Sequence, residues 1–412
     1  MSATPARRAA LQVVRRVFED GAYADRAFAR AAQNLSRRDR ALAQQLAYGT
    51  VQRVRTLDNV VETVARRSTA RLDAPVRAAL RLGAYQLLFL EGVPPHAAVD
   101  ETVELVREAR LERAVGFANA VMRRLAERGT KLLAALPDTT PTGAALRHSY
   151  PDWVGEVFWR DLGAEGAVAC MRAQNEPPET VVRVNRRRSA NLTGIQDPDL
   201  PDALRVERVD PKALADGLVW PQSRGSQLAG LAVGASDGEL TLDLCAAPGG
   251  KATQLPGQVT AVEKHPGRAR ELRENLRRLG ADNVTVVEAD GLALPPDLTE
   301  FDRALVDAPC SGLGVLAGRP DLRWRGRPLP ELQLELLRAA VERVRPGGTI
   351  VYSVCTLNTD ENEAVVDALG LEAEPLGDEW PAFRHPRRPE FLLTLPHVHR
   401  TSGFFVARLR VQ

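Results

Sequence analysis

At 412 residues, with 44% apolar and 26% charged side chains, the chain has room for two or three domains that each bury a core. It contains no run of 18 apolar residues that would span a membrane, and MSATPARRAALQVV lacks the apolar core and cleavage site of a secretory leader. The four cysteines, at 170, 245, 310 and 355, are too widely spaced for a zinc motif or a disulfide framework, so no metal and a reducing cytoplasm are expected. The net charge of +2 hides an asymmetry: residues 1–130 hold 22 Arg and no Lys against 14 acidic residues, a net +8, which leaves −6 for the remainder. A basic module joined to a mildly acidic one points to the first gripping a polyanion, although 51 Arg against 4 Lys also fits a solvated face shaped by base composition.

In chain order, residues 1–135 read as an all-α domain. Leu11, Val14, Val17 and Phe18, and later Leu80, Ala84, Leu87 and Leu88, recur at helical spacing. Breaks fall at Asp20-Gly21, Asn34-Leu35-Ser36 and Gly92-Val93-Pro94-Pro95, with Ser36 and Asp39 as an N-cap pair. His96 reads as a capping or surface residue. Residues 136–145 contain PDTTPTG, which is expected to be a linker unable to sustain a helix. Residues 146–235 mix a helix, PDWVGEVFWRDLGAEGAVACMRAQN, with short strands. Trp153 and Trp159 are expected to face its core, and Cys170 to be an inert buried thiol.

From residue 236 to 412 strands and helices alternate: LTLDLC, QVTAVE, NVTVVEAD, RALVDAP and GTIVYSVC are separated by RARELRENLRRLG and PELQLELLRAAVERV. Repeated β–α–β units predict a parallel, Rossmann-like sheet, closed by an antiparallel pair in FLLTLPHVHRTSGFFVARLR. Ligands of such sheets sit at the carboxyl ends of the strands. There lie the glycine-rich turn DLCAAPGGK, then Glu263, Asp290, Asp307 with Cys310, and Cys355. Backbone N–H groups between Ala246 and Gly250 can hold the amino-acid part of a nucleotide-like cofactor, Glu263 its ribose hydroxyls and Asp290 an adenine amino group. A nucleotide site facing two thiols points to methyl transfer onto C5 of a pyrimidine. C5 is a poor nucleophile until a thiolate adds at C6. The thiolate needs positive charge nearby, and Lys251 is a candidate source.

DLCAAPGGK, VDAPCSG and YSVCTLNTDEN resemble the motifs of the RNA cytosine-5 methyltransferases, the Nol1/Nop2/Sun family. ADRAFAR…DRALAQQLAYGTVQRVRTLD with LRLGAYQLLFLEGVPPHAAVDETVEL resembles the NusB-type RNA-binding helical domain of its bacterial Sun (RsmB, Fmu) branch, and residues 146–235 resemble the family's small RRM-like α+β domain. The resemblance implies S-adenosylmethionine held by Cys245, Ala246, Ala247, Pro248, Gly249, Gly250 and Lys251, with Glu263, Asp290 and Asp307. It implies Cys355 as nucleophile, Cys310 for adduct breakdown, and Asp307 meeting the cytosine edge. Lys251 and Glu263 stand 12 positions apart with Pro256 between them, less room than the family's usual helix takes. The expectation is a monomeric, cytoplasmic 16S ribosomal RNA cytosine-C5 methyltransferase with no membrane association. The same chemistry on tRNA or 23S rRNA is the alternative, and a non-catalytic RNA-binding protein belongs to a different class. DNA methylation is disfavoured, because a Pro-Cys nucleophile such as Cys310 would leave Cys355 without a task.

Overall fold

The computed structural model describes residues 3–188 and 191–412. Two compact units are present: Met1–Asn175 with Gly318–Arg325, and Glu176–Ala317 with Gly326–Gln412.

The first unit is helical: α1 (Pro5–Glu19), α2 (Ala24–Ala31), α3 (Arg37–Ala65), α4 (Ala74–Phe89), α5 (Pro95–Glu108), α6 (Glu112–Ala134), α7 (Pro141–His148) and α8 (Asp152–Ala173). The helices stop where the sequence places breaks. Ser36 caps α3 by accepting from Asp39 N–H at 3.1 Å, and Arg66 ends it in the left-handed region at φ 52°. A Cβ on Gly49 would lie 2.0 Å from the Tyr85 ring, so α3 and α4 approach as closely as they do because that position has no side chain. The core is built of Ala, Val and Leu from α1, α3, α4, α5 and α6.

Two expectations need correction. The stretch expected to be a linker contains the start of α7: Thr140 accepts from Gly143 N–H at 3.1 Å, and Pro141 sits in the first turn, where its missing N–H costs nothing. The tryptophans of α8 do not share the core. Six residues at about 100° each leave them roughly 120° apart, and both are only half-buried. Phe158 fills the core instead, fully buried and edge-on to Tyr150 at 6.0 Å. Cys170 is buried as expected, its thiol pushed up to about 12 by burial. His96 is exposed.

The segment Gly318–Arg325 ends in a short helix, Leu322–Arg325, whose Arg323 is 0% exposed. Its guanidinium donates to the carbonyls of Gln52 (3.0 Å) and Ser149 (3.0 Å), to Asn175 Oδ1 (2.9 Å) and to Tyr150 Oη (3.1 Å), and it stacks 3.8 Å from the Tyr150 ring. Trp324 Nε1 donates to Val51 O at 2.7 Å. The Arg323 guanidinium is therefore met by dipoles at both terminal nitrogens and by a ring face, with no carboxylate among these partners, while its buried Nε has no acceptor.

The second unit holds two sheets. Strands β1 (Val181–Val184), β2 (Ile195–Gln196), β3 (Ala203–Arg205) and β4 (Val219–Pro221) form an antiparallel sheet in the order β2-β3-β1-β4. Strands β5 (Leu240–Asp243), β6 (Gln258–Val262), β7 (Val284–Val287), β8 (Phe301–Asp307), β9 (Val344–Val354), β10 (Glu372–Ala373), β11 (Leu392–Thr394) and β12 (Phe404–Arg410) form the larger sheet. Its order is β10-β12-β9-β8-β5-β6-β7, with β11 paired to β12. The pairs among β5 to β9 are parallel, and β10, β11 and β12 pair antiparallel. This is the expected Rossmann-like sheet with its antiparallel closure. Ala304, Leu305 and Val306 of β8 and Ile350, Val351 and Tyr352 of β9 are fully buried, the continuous apolar run of a covered parallel strand. Between Lys251 and β6 the chain makes only a 3₁₀ turn, Ala252–Gln254, where Pro256 leaves no room for a longer helix. Among the described residues no helix is long and apolar enough to cross a membrane.

Arg323→Ala should destabilise the helical unit by about 3 kcal/mol, since four buried acceptors lose their donor and a cavity opens. Chemical denaturation followed by circular dichroism checks this, and a midpoint equal to that of the parent chain would contradict it.

Candidate active site

Strands β8 and β9 run parallel with Asp307 opposite Ser353, so both chains leave the sheet side by side at the same edge. Three residues beyond Asp307 comes Cys310, and two beyond Ser353 comes Cys355; their Sγ atoms lie 3.4 Å apart. The loop carrying Cys310 is stitched to the loop carrying Cys355. Gly314 N–H donates to Cys355 O at 2.9 Å, and Gly403 N–H to Gly314 O at 2.8 Å. A Cβ on Gly314 would lie 2.1 Å from Gly403 O, so only glycine allows this approach. The Cys310 thiol is pushed well up, first by its bond to Cys355, then by burial and by the charges of Cys355 and Glu361. A contacting pair of thiols releases its protons in sequence. These influences keep the proton on Cys310.

Asp307 is held from both sides: Oδ2 accepts from Lys251 Nζ at 2.6 Å and Oδ1 from Ser353 Oγ at 2.6 Å. Lys251, expected to supply positive charge to the thiols, pairs instead with this carboxylate and lies 5.1 Å from the Phe404 ring centroid. Lys251 and Asp307 are thus brought together, as are Cys310 and Cys355.

The turn from Cys245 to Lys251 is braced through its carbonyls. Arg268 donates to Ala247 O (2.6 Å), Asn275 Nδ2 to Pro248 O (3.0 Å), Thr253 Oγ1 to Gly249 O (2.8 Å), and Arg183 to Gly250 O. Gly249 adopts φ +105° within it. Two of the amides expected to face a ligand are used inside the fold: Ala246 N–H donates to Val262 O and Gly249 N–H to Ala246 O. The Cys245 thiol is pushed up by burial and then by the carboxylates of Asp243, Asp307 and Glu263. Glu263 follows β6 and is buried, with Oε1 accepting from His265 N–H at 2.8 Å and Oε2 3.4 Å from Arg268 Nε. Asp290, expected at a strand end, lies three residues past β7 in an exposed turn, where Oδ1 accepts from Leu292 N–H at 3.1 Å. Glu288-Ala289-Asp290 extends the apolar pattern of the strand in sequence but has left the ladder.

Two site residues went unnoticed in the sequence. Arg183, on β1 and 3% exposed, donates to Thr253 Oγ1 at 2.7 Å and to Gln222 Oε1 at 3.0 Å besides Gly250 O, so the small sheet props up the turn. Burial lowers its guanidinium to about 10. Asp243, the last residue of β5, is 1% exposed, and neither carboxylate oxygen makes a hydrogen bond. Burial first, then the Asp307 charge, pushes it up to about 7 against the pull of Lys251 and of the Cys245 backbone N–H. An orphaned buried carboxyl behind a glycine-rich turn can accept from a cationic amine such as an amino-acid ammonium. Position at the strand end was the available signal, because the other strand-end acids were singled out on that ground.

Residues 231–410 match the family model described as 16S rRNA methyltransferase RsmB/F, and residues 4–127 match that of the NusB family. The chain is 33% identical to the probable ribosomal RNA small subunit methyltransferase B of Synechocystis, over 98% of this chain and 99% of that one. It is 32% identical to ribosomal RNA small subunit methyltransferase B of Escherichia coli, over 98% of both. The fold is similar to the crystal structure of PH0851, with a TM-score of 0.80 at 23% identity, covering 100% of this chain and 99% of that one. A methyltransferase homolog protein from Pyrococcus horikoshii superposes with a TM-score of 0.57 at 28% identity, over 66% of this chain and 99% of that one.

Because the Asp243 pKa is raised on folding, the folded protein holds more protons than the unfolded chain between roughly pH 4 and pH 7. This carboxyl's contribution to stability therefore falls as pH rises through that window. Asp243→Asn should leave the ligand-free protein's stability little changed near pH 4 and raise it by a few kcal/mol above pH 7, at about 1.4 kcal/mol per pH unit between. Urea unfolding across that range checks the sign; a gain independent of pH would contradict it.

Proposed function

The chain belongs to the RsmB/Sun branch of the RNA cytosine-C5 methyltransferases, and from that premise we propose that it methylates a cytosine of 16S ribosomal RNA through a covalent cysteine–C6 adduct. S-adenosylmethionine is the cofactor and supplies the methyl group from its sulfonium. The residues present fit it: a braced glycine-rich turn, the orphaned Asp243 for an ammonium, and the buried Glu263 at the next strand end for ribose hydroxyls. Asp290 is the candidate for the adenine amino group.

The single observation that carries the reading is the pair of sulfurs in contact at the ends of adjacent parallel strands. Cys355 Sγ forms a bond to C6 of the base, and the C5=C6 electron pair moves onto C5, which takes the methyl group. Loss of the C5 proton to water returns an electron pair to the C5–C6 bond and expels the Cys355 thiolate. Cys310, in contact with that sulfur, serves this second half. In this reading Asp307, which accepts from Lys251 and Ser353, meets the N3/N4 edge of cytosine.

For the RNA backbone, the first unit offers a groove of about 660 Å³ whose lining includes Arg67, Arg71, Arg110 and Arg113 with Asp73 and Glu112. Among the described residues none of these four arginines pairs with a carboxylate. A second depression, lined by Arg8, Arg15 and Arg16, is different: they pair with Glu108 at 2.9 Å, Glu19 at 3.0 Å and Asp20 at 3.5 Å. Unpaired guanidinium groups are the ones that exchange condensed counterions for phosphate.

Bisulfite sequencing of RNA from a strain lacking the gene tests the substrate: loss of one 5-methylcytosine from 16S rRNA is expected, and loss from 23S rRNA or tRNA instead would reassign it. Cys355→Ala should abolish methyl transfer and leave S-adenosylmethionine binding nearly intact. Cys310→Ala should transfer methyl once and stall, accumulating a protein–RNA complex that survives a denaturing gel and disappears when Cys355→Ala is added. An active Cys310→Ala enzyme with no trapped complex would remove Cys310 from the mechanism. Replacing Arg71, Arg110 and Arg113 together by Ala should flatten the salt dependence of RNA binding by roughly 2–3 in the log–log slope. The same change at Arg8, Arg15 and Arg16 should alter it little; equal slopes in both variants would place the grip elsewhere.

A further inference from the structure

Six residues past Cys355, Glu361 is 0% exposed, and its carboxylate gathers donors from three parts of the chain. Oε1 accepts from Ser311 N–H at 2.9 Å, Leu329 N–H at 3.1 Å and Gln333 Nε2 at 3.0 Å. Oε2 accepts from Ser311 Oγ at 2.5 Å and Asn358 Nδ2 at 3.5 Å and lies 3.3 Å from Thr356 Oγ1, whose proton goes to Ser311 Oγ. Ser311 directly follows Cys310, and Thr356 directly follows Cys355. Their hydroxyls also meet each other at 2.7 Å. Leu329 and Gln333 open the helix Pro330–Val341, and Gln333 Nε2 reaches back to Pro309 O at 2.9 Å, on the other side of Cys310. The backbone of Glu361 is itself tied to the sheet, because Tyr352 Oη donates to its carbonyl at 2.6 Å.

No cation pairs with this carboxylate among the described residues; five neutral donors surround it, and the Thr356 hydroxyl joins the set through Ser311 Oγ. A buried charge without a counter-ion persists only where its hydrogen bonds are complete, and the complete set here clamps the residue after each thiol. A glutamine at this position would keep the shape but offer one acceptor oxygen, and would turn an NH₂ group toward donors. The ring of donors therefore requires a carboxylate.

We propose that Glu361 is a positioning residue for the two-thiol site, holding the loops after β8 and β9 so that the Cys310 and Cys355 sulfurs stay in contact through the reaction. This rests on the division of work between the two cysteines given above. Its charge acts in the same sense, since it is among the influences that keep the proton on Cys310. Displacing a reacting group by about 1 Å costs on the order of 10²-fold in rate, so the effect falls on turnover rather than on binding.

The test measures Glu361→Gln in the full chain. A trivalent arsenical, phenylarsine oxide, bonds two thiols with loss of one water and needs both sulfurs within reach of one arsenic, with Cys310→Ala giving the background. The variant is expected to bind the arsenical at least tenfold more weakly and to lose about 10²-fold in kcat, with the KM for RNA and the affinity for S-adenosylmethionine within twofold of the parent. Arsenical affinity equal to the parent overturns the proposal whatever the kcat, and so does an unchanged kcat. The trapping experiment with Cys310→Ala stands apart from this: if that fails, the division of work between the thiols is wrong, whereas if it succeeds and Glu361→Gln behaves as the parent, only the role of Glu361 is. Should Glu361→Gln not fold, Thr356→Val, which removes one link of the clamp, is expected to move both readouts the same way by a smaller factor, and no movement in either overturns the proposal.

Discussion

Parallel pairing of β8 with β9 is the constraint on which the site depends. Neighbouring parallel strands release their loops at the same edge, and in-register pairing of Asp307 with Ser353 fixes how far along each loop a side chain must lie to meet its counterpart. The sulfurs meet because Cys310 and Cys355 lie three and two residues past the paired positions. A shift of one residue in either strand would turn alternate side chains to the opposite face and carry the thiols apart. The long apolar runs of both strands make such a slip costly, since it would take buried residues out of the core.

Around that edge the polar groups are arranged in closed sets. Lys251, Asp307 and Ser353 satisfy one another; Ser311, Thr356, Asn358 and Gln333 converge on Glu361; and Arg183 with Arg268 and Asn275 holds the carbonyls of the glycine-rich turn. Asp243, a buried carboxyl whose two oxygens have no partner within hydrogen-bond geometry, stands outside these sets, and Gln333 Oε1 and Asn362 Oδ1 are also left without one.

The order of the strands, the turn after β5 and the cysteines at the strand ends could all be read from the chain, because each leaves a local mark: an apolar run, a pair of glycines, a reactive residue at the run's end. Arg183 and Arg323 left none, and Glu361 showed only as one letter of the motif YSVCTLNTDEN, with nothing to mark it as buried. A charged side chain in a linear sequence reads as solvent-exposed, and only the donors or acceptors brought from distant segments make its burial tolerable. Asp290 was misplaced by the same limit in the other direction, since the apolar alternation runs on past the point where β7 stops pairing. The start of α7 was legible and passed over: Thr-Pro is a cap followed by a residue suited to the first turn, but the surrounding Pro, Thr and Gly read as a linker.

The socket that Arg323 fills carries a consequence for how this protein can be divided. Gln52, Ser149, Tyr150 and Asn175 belong to one end of the gene, whereas the guanidinium they coordinate is encoded some 150 codons later, beyond Cys310. A fragment stopping at residue 175 would contain every long helix of its unit and still carry a ring of buried carbonyls with nothing to bind. The helical unit is thus not a detachable module in the genetic sense. Swapping it for the equivalent stretch of a relative would also require grafting residues 318–325, or the recombinant would inherit a lock from one parent and a key from the other.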